Sequence, residues 1–424
     1  MNAKGYASIP SELFYWITFL SKALPTRSIG TFIELLIGSM LTTSGFVTEA
    51  YLILDMRNHW TSYYKWLNKG KWSWLGLARQ FVILALKVIG PQEVLYLVID
   101  DTLTLRSSKK APGSQIHHQH GNKPNLAKYV RGQCWVSLAL IAWRKNGMPV
   151  ALPLLSRLIP AASNTGKLIA ANTLIRAVYR LFSECKKVRI LVDSWYMRKI
   201  LITSMLSRGF HVIGQARIDT RLYDEPPEQK KPARGRPKKY GEKLTRKRVA
   251  HLKKTEVTMV LRGKPQKLRY RTRLAKARFL EGRLVRAVWC EFQDESDNWK
   301  STRLLISTDA SMSAEEVIEA YSVRWPIESM FNQLKLAWGL KEAWQQTRQT
   351  LHRWVHITNI GYAIIELLGT LDSQAVNQLC MHSPWRVKNE ITAGQVRKGL
   401  KKIFNHVDVR SWWCAKRNKF GPPI

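Results

Sequence analysis

Val94-Leu95-Tyr96-Leu97-Val98-Ile99 is a continuous apolar, β-branched run that stops abruptly in Asp100-Asp101-Thr102. A run without polar alternation fits a strand covered on both faces, as in a sheet with helices on either side. A second short run of this buried type, Val188-Arg189-Ile190-Leu191-Val192, also ends in an aspartate, Asp193. A carboxylate at the end of a hydrophobic strand is costly to bury unless it pairs or binds a cation. If these strands are neighbours in one sheet, Asp193 and Asp100 or Asp101 come within bridging distance of shared ions.

Outward from these strands the pattern alternates. Cys134 to Trp143, Met148 to Leu155 and Phe210 to Ala216 read as strands, and Thr165 to Glu184 and Tyr196 to Ser207 as helices. Strands alternating with helices indicate an α/β domain. From about 217 to 305 the alternation breaks. Glu256 to Leu261, Lys267 to Thr272 and Leu284 to Phe292 alternate like strands, which predicts a β-rich insertion. Ser313 and Glu316 form a capping-box pattern that opens a helix.

The two ends of the chain read as helical. Thr31 to Leu41, Phe46 to Met56 and Trp74 to Ile89 carry apolar residues at helical spacing, with Ser73 as a candidate N-cap. Thr42-Thr43-Ser44-Gly45 is a turn between the first two. Three short helices with a tight turn fit a helix-turn-helix-like module, and equally any small helical bundle. Three regions are expected: helical 1–90, α/β 91–345 with the insertion, and helical 346–424.

A third acidic position stands in a basic, aromatic stretch, Tyr321-Ser-Val-Arg324-Trp-Pro-Ile-Glu328-Ser-Met-Phe-Asn-Gln-Leu-Lys335. Steps of three, four and seven put Tyr321, Arg324, Glu328 and Lys335 on one face of a helix. Taken alone, this is also the pattern of a solvated face with i,i+4 ion pairs. Pro326 lacks an N–H and predicts a kink or restart there, so the shared face is approximate. Two strand-end aspartates and this glutamate make an all-oxygen ligand set suited to Mg²⁺ or Mn²⁺. Two such ions roughly 3.5–4 Å apart activate a water on one side and stabilise a leaving oxygen on the other.

The net charge is +38, from 68 Lys and Arg against 30 Asp and Glu, in a chain of 424 residues that is 45% hydrophobic. So large a surplus in a globular chain implies a polyanionic partner, with nucleic acid first. Charge is concentrated: residues 230 to 278 hold 20 Lys and Arg and only Glu242 and Glu256, a surplus of 18. The five cysteines form no C-x-x-C pair, which excludes the common zinc spacings and a disulfide framework. No Gly-rich phosphate loop of the P-loop type is present, which disfavours an ATP-driven enzyme. The longest apolar runs are too short to span a bilayer, and no signal peptide opens the chain, so an intracellular location without a membrane is expected.

Asp-Asp-Thr after an apolar strand, Leu-Val-Asp193-Ser-Trp-Tyr, and the Tyr-x2-Arg-x3-Glu-x6-Lys pattern together resemble DDE transposases of bacterial insertion sequences. The likeness is to the branch whose RNase H-like core is interrupted by a β-strand insertion, and it covers roughly residues 90 to 345. The separations, 92 residues from Asp101 to Asp193 and 135 from Asp193 to Glu328, leave room for that insertion. The resemblance implies Asp101, Asp193 and Glu328 as catalytic, metal-binding carboxylates holding two Mg²⁺ or Mn²⁺ ions. Asp100 is the alternative to Asp101. Tyr321, Arg324 and Lys335 would hold DNA phosphates. The implied partner is double-stranded DNA, both element ends and target, engaged by a homodimer in the bacterial cytoplasm with residues 1–90 as a DNA-binding domain. A nuclease that only hydrolyses, or a basic DNA-binding protein with a decayed core, are the rival functions.

Within the basic segment, Arg234-Gly235-Arg236-Pro237-Lys238-Lys239 looks like an AT-hook. Its Arg-Gly-Arg-Pro core would lie in a narrow A·T minor groove, while a flexible linker contacting phosphates is the plainer reading. His117, His118 and His120 sit in a Gly- and Lys-rich stretch without acidic or Cys partners, which fits a loop near the site better than structural zinc. Trp195 and Trp325 could stack on a splayed base, but core packing is the default for each.

Overall fold

The computed structural model describes residues 9–54, 56, 58–118, 127–160, 164–227, 238–371, 374–380 and 391–421. The helices are α1 (Ser11–Ser21), α2 (Ile29–Leu41), α3 (Val47–Ile53), α4 (Trp60–Lys69), α5 (Trp74–Ile89), α6 (Asn164–Val178), α7 (Lys199–Leu206), α8 (Arg246–Ala250), α9 (Ala314–Ser322), α10 (Pro326–Leu336), α11 (Arg348–Leu368), α12 (Gln374–Cys380) and α13 (Ala393–Phe404). The main strands are β1 (Leu95–Leu105), β2 (Ser114–His118), β3 (Tyr129–Trp143), β4 (Pro149–Leu158), β5 (Val188–Val192), β6 (His211–Ala216), β7 (Leu222–Tyr223), β8 (Thr255–Leu261), β9 (Lys264–Ala277), β10 (Arg283–Phe292) and β11 (Arg303–Ser307). Two compact units result, one of residues 1–92, 101–184 and 326–424, the other of residues 93–100 and 185–325.

In the second unit the apolar run that begins β1 lies parallel to β5, from Leu95 opposite Val188 to Ile99 opposite Val192. Strand β5 is parallel to β6, and α7 lies between them in sequence and packs on β6. All five residues of β5 are buried, including Arg189, whose guanidinium pairs with Asp309 at 2.9 Å. Strands β11, β10 and β9 continue the sheet antiparallel to one another, with β11 antiparallel to β6. Strands β8, β9 and β10 fall where the insertion's strands were expected from the sequence, with β9 much longer than periodicity alone suggests. Strands β8 and β9 join through Arg262-Gly263, both at positive φ (55° and 74°), the conformation of a two-residue type I′ hairpin turn.

In the first unit β3 pairs antiparallel with β2 on one side and extends into a hairpin with β4. The second part of β1, residues 101–105, belongs here. The strand was expected to close at the aspartates. It continues to Leu105 because Thr102 and Thr104 are β-branched and bury their side chains on one face, with Thr104 donating to Gln133 O.

Helix α11 is the spine of this unit, with every residue from Thr350 to Leu368 buried. It packs on β4, α2, α4, α5 and α13. Its buried Arg353 donates to the carbonyls of Trp66, Leu67, Gly70 and Trp72 at and just past the end of α4. The Ser73 cap of α5 is as expected, accepting from Gly76 N, but α1 and α4 are additional to the helices expected from the sequence.

Each unit has helices against strands, and the strand connectivity is that of the α/β, RNase H-like mixed fold expected: a β3–β4 hairpin after β1, then parallel β1–β5–β6, with the β-rich insertion between β6 and β11 in sequence. Among the described residues no single helix is long and apolar enough to cross a membrane.

Candidate catalytic site

Because Ile99 is opposite Val192, Asp100 and Asp193 are the next residues on two parallel neighbouring strands. Asp193 ends its strand: its Oδ1 accepts from the backbone amides of Trp195 (3.0 Å) and Tyr196 (3.1 Å), a turn that an Asp side chain builds from its own carboxylate. Arg324 Nη1 donates to Asp100 Oδ2 at 2.8 Å, with the side chains 14% and 17% exposed. Tyr321, in the last turn of α9, feels the same charges. Burial raises its phenol, Arg324 works against that, and Asp193 and Asp100 add to the rise. Asp100, Asp193, Tyr321 and Arg324 therefore form one electrostatic cluster inside the second unit.

The single helical face expected across Tyr321–Lys335 is replaced by two helices. Helix α9 opens on the Ser313/Glu316 capping box and ends at Ser322, and α10 starts at Pro326. Proline cannot donate to the preceding turn and drives the residue before it out of the helical region, so Arg324 sits in the break. At the first position of α10 the missing N–H costs nothing.

In the first unit Asp101 Oδ2 accepts from Lys167 Nζ at 2.8 Å and from Cys134 Sγ at 3.4 Å. Glu328 is half-buried in the first turn of α10, where the helix dipole favours a carboxylate, and Lys335 occupies the last turn, where it favours a cation. Helix α10 packs on β4, and the loop after it is gripped by a residue that pattern reading missed. Arg106, buried just past β1, donates to the carbonyls of Leu340, Lys341 and Ala343 and to Gln133 Oε1. Burial holds its guanidinium down to about 10.

A family model described as DDE superfamily endonuclease matches residues 35–276, more than half of the chain. The chain belongs to the DDE superfamily endonucleases. The match spans both β1 aspartates and Asp193 and stops before Tyr321. Among solved structures the chain is similar to the piggyBac transposase in a cryo-EM synaptic complex with hairpin DNA, at 12% identity over 96% of this chain and 78% of that one, with a TM-score of 0.42. No curated protein matches the chain.

The donor chemistry of this DDE endonuclease suits a hard divalent ion, since the groups where the β1–β5 pairing stops are carboxylates. Among the described residues no group of three His, Cys, Asp or Glu is gathered closely enough to hold one. The insertion contributes more to the second unit than the sequence suggests. Arg262 at the β8–β9 turn lies over the Trp325 ring at 4.6 Å, and Trp325 is 44% exposed rather than packed in the core. A cavity of about 330 Å³ beside Tyr321 is lined by Arg262, Lys264, Lys300 and Arg303. Trp195 is half-buried against Tyr196.

His117 and His118 lie in strand β2 rather than a loop, and His120 falls outside the described residues. Burial pushes His117 down, as does Lys167. Of the AT-hook-like segment, Lys238 and Lys239 are exposed, while Arg234, Gly235, Arg236 and Pro237 lie outside the described residues.

Proposed function

We propose that this DDE endonuclease is a DNA transposase, which cuts at the ends of its element and joins the freed 3′-OH to target DNA. The observation that carries the reading is the cluster of Asp100, Asp193, Tyr321 and Arg324 where the parallel β1–β5 pairing stops, in a chain of this family. Asp193, a β1 aspartate and Glu328 are the groups that would hold two Mg²⁺ or Mn²⁺ ions. Such ions supply an activated water and stabilise the leaving oxygen.

The protein's own groups bind and orient. Arg324, paired with Asp100 in the protein without DNA, offers a planar fork for the scissile phosphate, Tyr321 a neutral hydroxyl donor, and Lys335 a further cation. The surroundings of the two β1 aspartates favour Asp100 as the partner of Asp193. Asp100 follows the Ile99–Val192 pair directly, as Asp193 does, and shares the Tyr321 field; each aspartate has one cationic partner, Arg324 for Asp100 and Lys167 for Asp101. In the helical residues 1–90, α2 is buried over nearly its whole length and has little surface left for DNA, while α4 is more exposed. The partner is double-stranded DNA bound by a homodimer, in the bacterial cytoplasm.

A labelled duplex carrying the inverted repeats that flank the gene, mixed with a supercoiled target and Mg²⁺, tests the reading. Cutting at the repeats followed by joined products supports a transposase. Cutting without joining indicates the hydrolytic nuclease, and binding without either indicates a DNA-binding protein.

A further inference from the structure

We propose that the cavity beside Tyr321 in the second unit binds the sugar-phosphate backbone of one DNA strand, close to the phosphate that is cut. The inference rests on the transposase reading and adds to it a backbone-binding subsite built by the insertion. The cavity, of about 330 Å³, lies between two strand connections and a helix. Arg262 and Lys264 come from the β8–β9 turn, Lys300 and Arg303 from the run into β11, and Ile318 and Tyr321 from α9. Gln266 Nε2 donates to Gln293 O at 2.7 Å and Lys300 N to Phe292 O at 2.9 Å, so both connections are tied to the end of β10.

The charge calls for an anion. Four cations line the cavity, and no Asp or Glu does. Elsewhere in the same unit cations have carboxylate partners: Arg273 pairs with Asp224 at 2.8 Å, Arg248 with Asp224 at 2.9 Å and Arg189 with Asp309 at 2.9 Å. Among the described residues Lys264, Lys300 and Arg303 enter no ion pair. Like charges gathered without a counter-charge repel one another, and an anion seated among them relieves that repulsion.

The lining selects the kind of anion. Leu261, Phe292, Leu305 and Ile318 make an apolar floor, with the Arg303 guanidinium 5.8 Å from the Phe292 ring centre. An inorganic phosphate would leave that floor bare, whereas a deoxyribose covers it while its phosphates meet the cations. The volume admits one strand's backbone and not a duplex. The position fits the cut: Tyr321 forms one wall, and its phenol feels Asp193 and Asp100. Arg262 lies over the ring of Trp325, the neighbour of Arg324. The cations therefore continue the path of a strand whose scissile phosphate is held by Arg324.

The test neutralises the DNA one phosphate at a time. The duplex carrying the flanking inverted repeats would be made with single uncharged methylphosphonates near the cut. Its affinity would be measured for the full-length wild type, Lys264→Gln and Arg303→Gln, whose altered side chains are exposed and leave the fold intact. At one or two neighbouring positions the replacement should weaken wild-type binding by about fivefold, and binding by either variant by less than about twofold, because that contact is already lost. Lys253→Gln removes the same charge from an exposed position outside the cavity and should keep the full wild-type loss. Equal losses in wild type and both variants at every position overturn the subsite and reduce these cations to general attraction. Indifference of the wild type to every replacement also overturns it, as the behaviour of a pocket for a free anion. In either case, cutting and joining of the unmodified duplex leave the transposase reading standing. Failure of the wild-type protein to bind the duplex overturns both.

Discussion

The guanidinium of Arg324 stands 2.8 Å from the carboxylate of Asp100, the residue of β1 just past its last pairing with β5, the strand that leads into Asp193. This pair connects the residues that follow α9 to the point where β1 and β5 part. It implies that Asp100→Ala and Asp193→Ala lower end cleavage by about a thousandfold or more with DNA affinity largely kept, since affinity comes from Lys and Arg. Asp101→Ala should retain measurable cleavage and act mainly by freeing Lys167. Single-turnover cleavage decides it: an inactive Asp101→Ala beside an active Asp100→Ala would return the role to Asp101.

Arg324 itself should separate chemistry from affinity. Arg324→Lys keeps the charge but loses the planar fork, so it should cut slowly while binding nearly as well as wild type. Equal losses in equilibrium binding and in cleavage would mean that Arg324 merely adds to the general attraction for phosphates.

Gly339 fixes the course of the loop that follows α10. Its φ of +68° is open to few other residues, and an added Cβ would overlap the backbone of Gly45. Gly339→Ala should cost more than about 2 kcal/mol, read as a lowered thermal midpoint. An unchanged midpoint would show that the two turns do not meet in solution.

The fold was legible where one local signal sufficed. The β1 and β5 apolar runs, the Ser73 cap and the Ser313/Glu316 capping box declare themselves through burial and terminal hydrogen bonding. The continuation of β1 past Asp101 was hidden because polar Thr102 and Thr104 look like a strand end until their partner strand is known. Pro326 announced a break, but not that Arg324 would fall within it and turn to Asp100. Arg106 and Arg262 left no pattern at all. Their roles come from carbonyls and a ring that are distant in sequence, and only folding assembles those.

Acid should weaken the first unit through two buried histidines. His356 Nδ1 donates to His352 O at 2.7 Å while its Nε2 accepts from Ser156 N at 3.3 Å, an arrangement that requires the neutral ring. Burial pushes His356 down to about 4, and burial together with the neighbouring His356 and Arg348 pushes His352 down to about 3. In the unfolded chain both titrate near the ordinary histidine value, about 6.5. Above that value neither state holds the protons and stability is unaffected. As pH falls from there toward the folded values, only the unfolded state takes them up. Stability should then drop by up to about 1.4 kcal/mol per pH unit per histidine. Urea midpoints between pH 7 and 5 should fall less steeply for His356→Gln than for wild type. Parallel slopes would remove these histidines from the acid response.

The basic insertion should act on affinity rather than on bond breaking. Residues 230 to 278 carry nearly half of the chain's charge surplus, and Lys238 and Lys239 are exposed to a polyanion. Neutralising Arg234, Arg236, Lys238 and Lys239 together should weaken DNA binding on every sequence. Its salt dependence should flatten by roughly one unit of slope for each phosphate that the protein no longer neutralises. A true minor-groove hook adds a sequence signature, because A·T-rich flanks offer a narrower, more negative groove. The loss of affinity should then be larger on A·T-rich than on G·C-rich flanks, while cleavage of DNA already bound continues at the wild-type rate. Equal losses on both flanks would reduce the segment to a nonspecific phosphate clamp. A slower cutting step in bound complexes would make it part of the cleavage machinery, against the separation argued from Arg324.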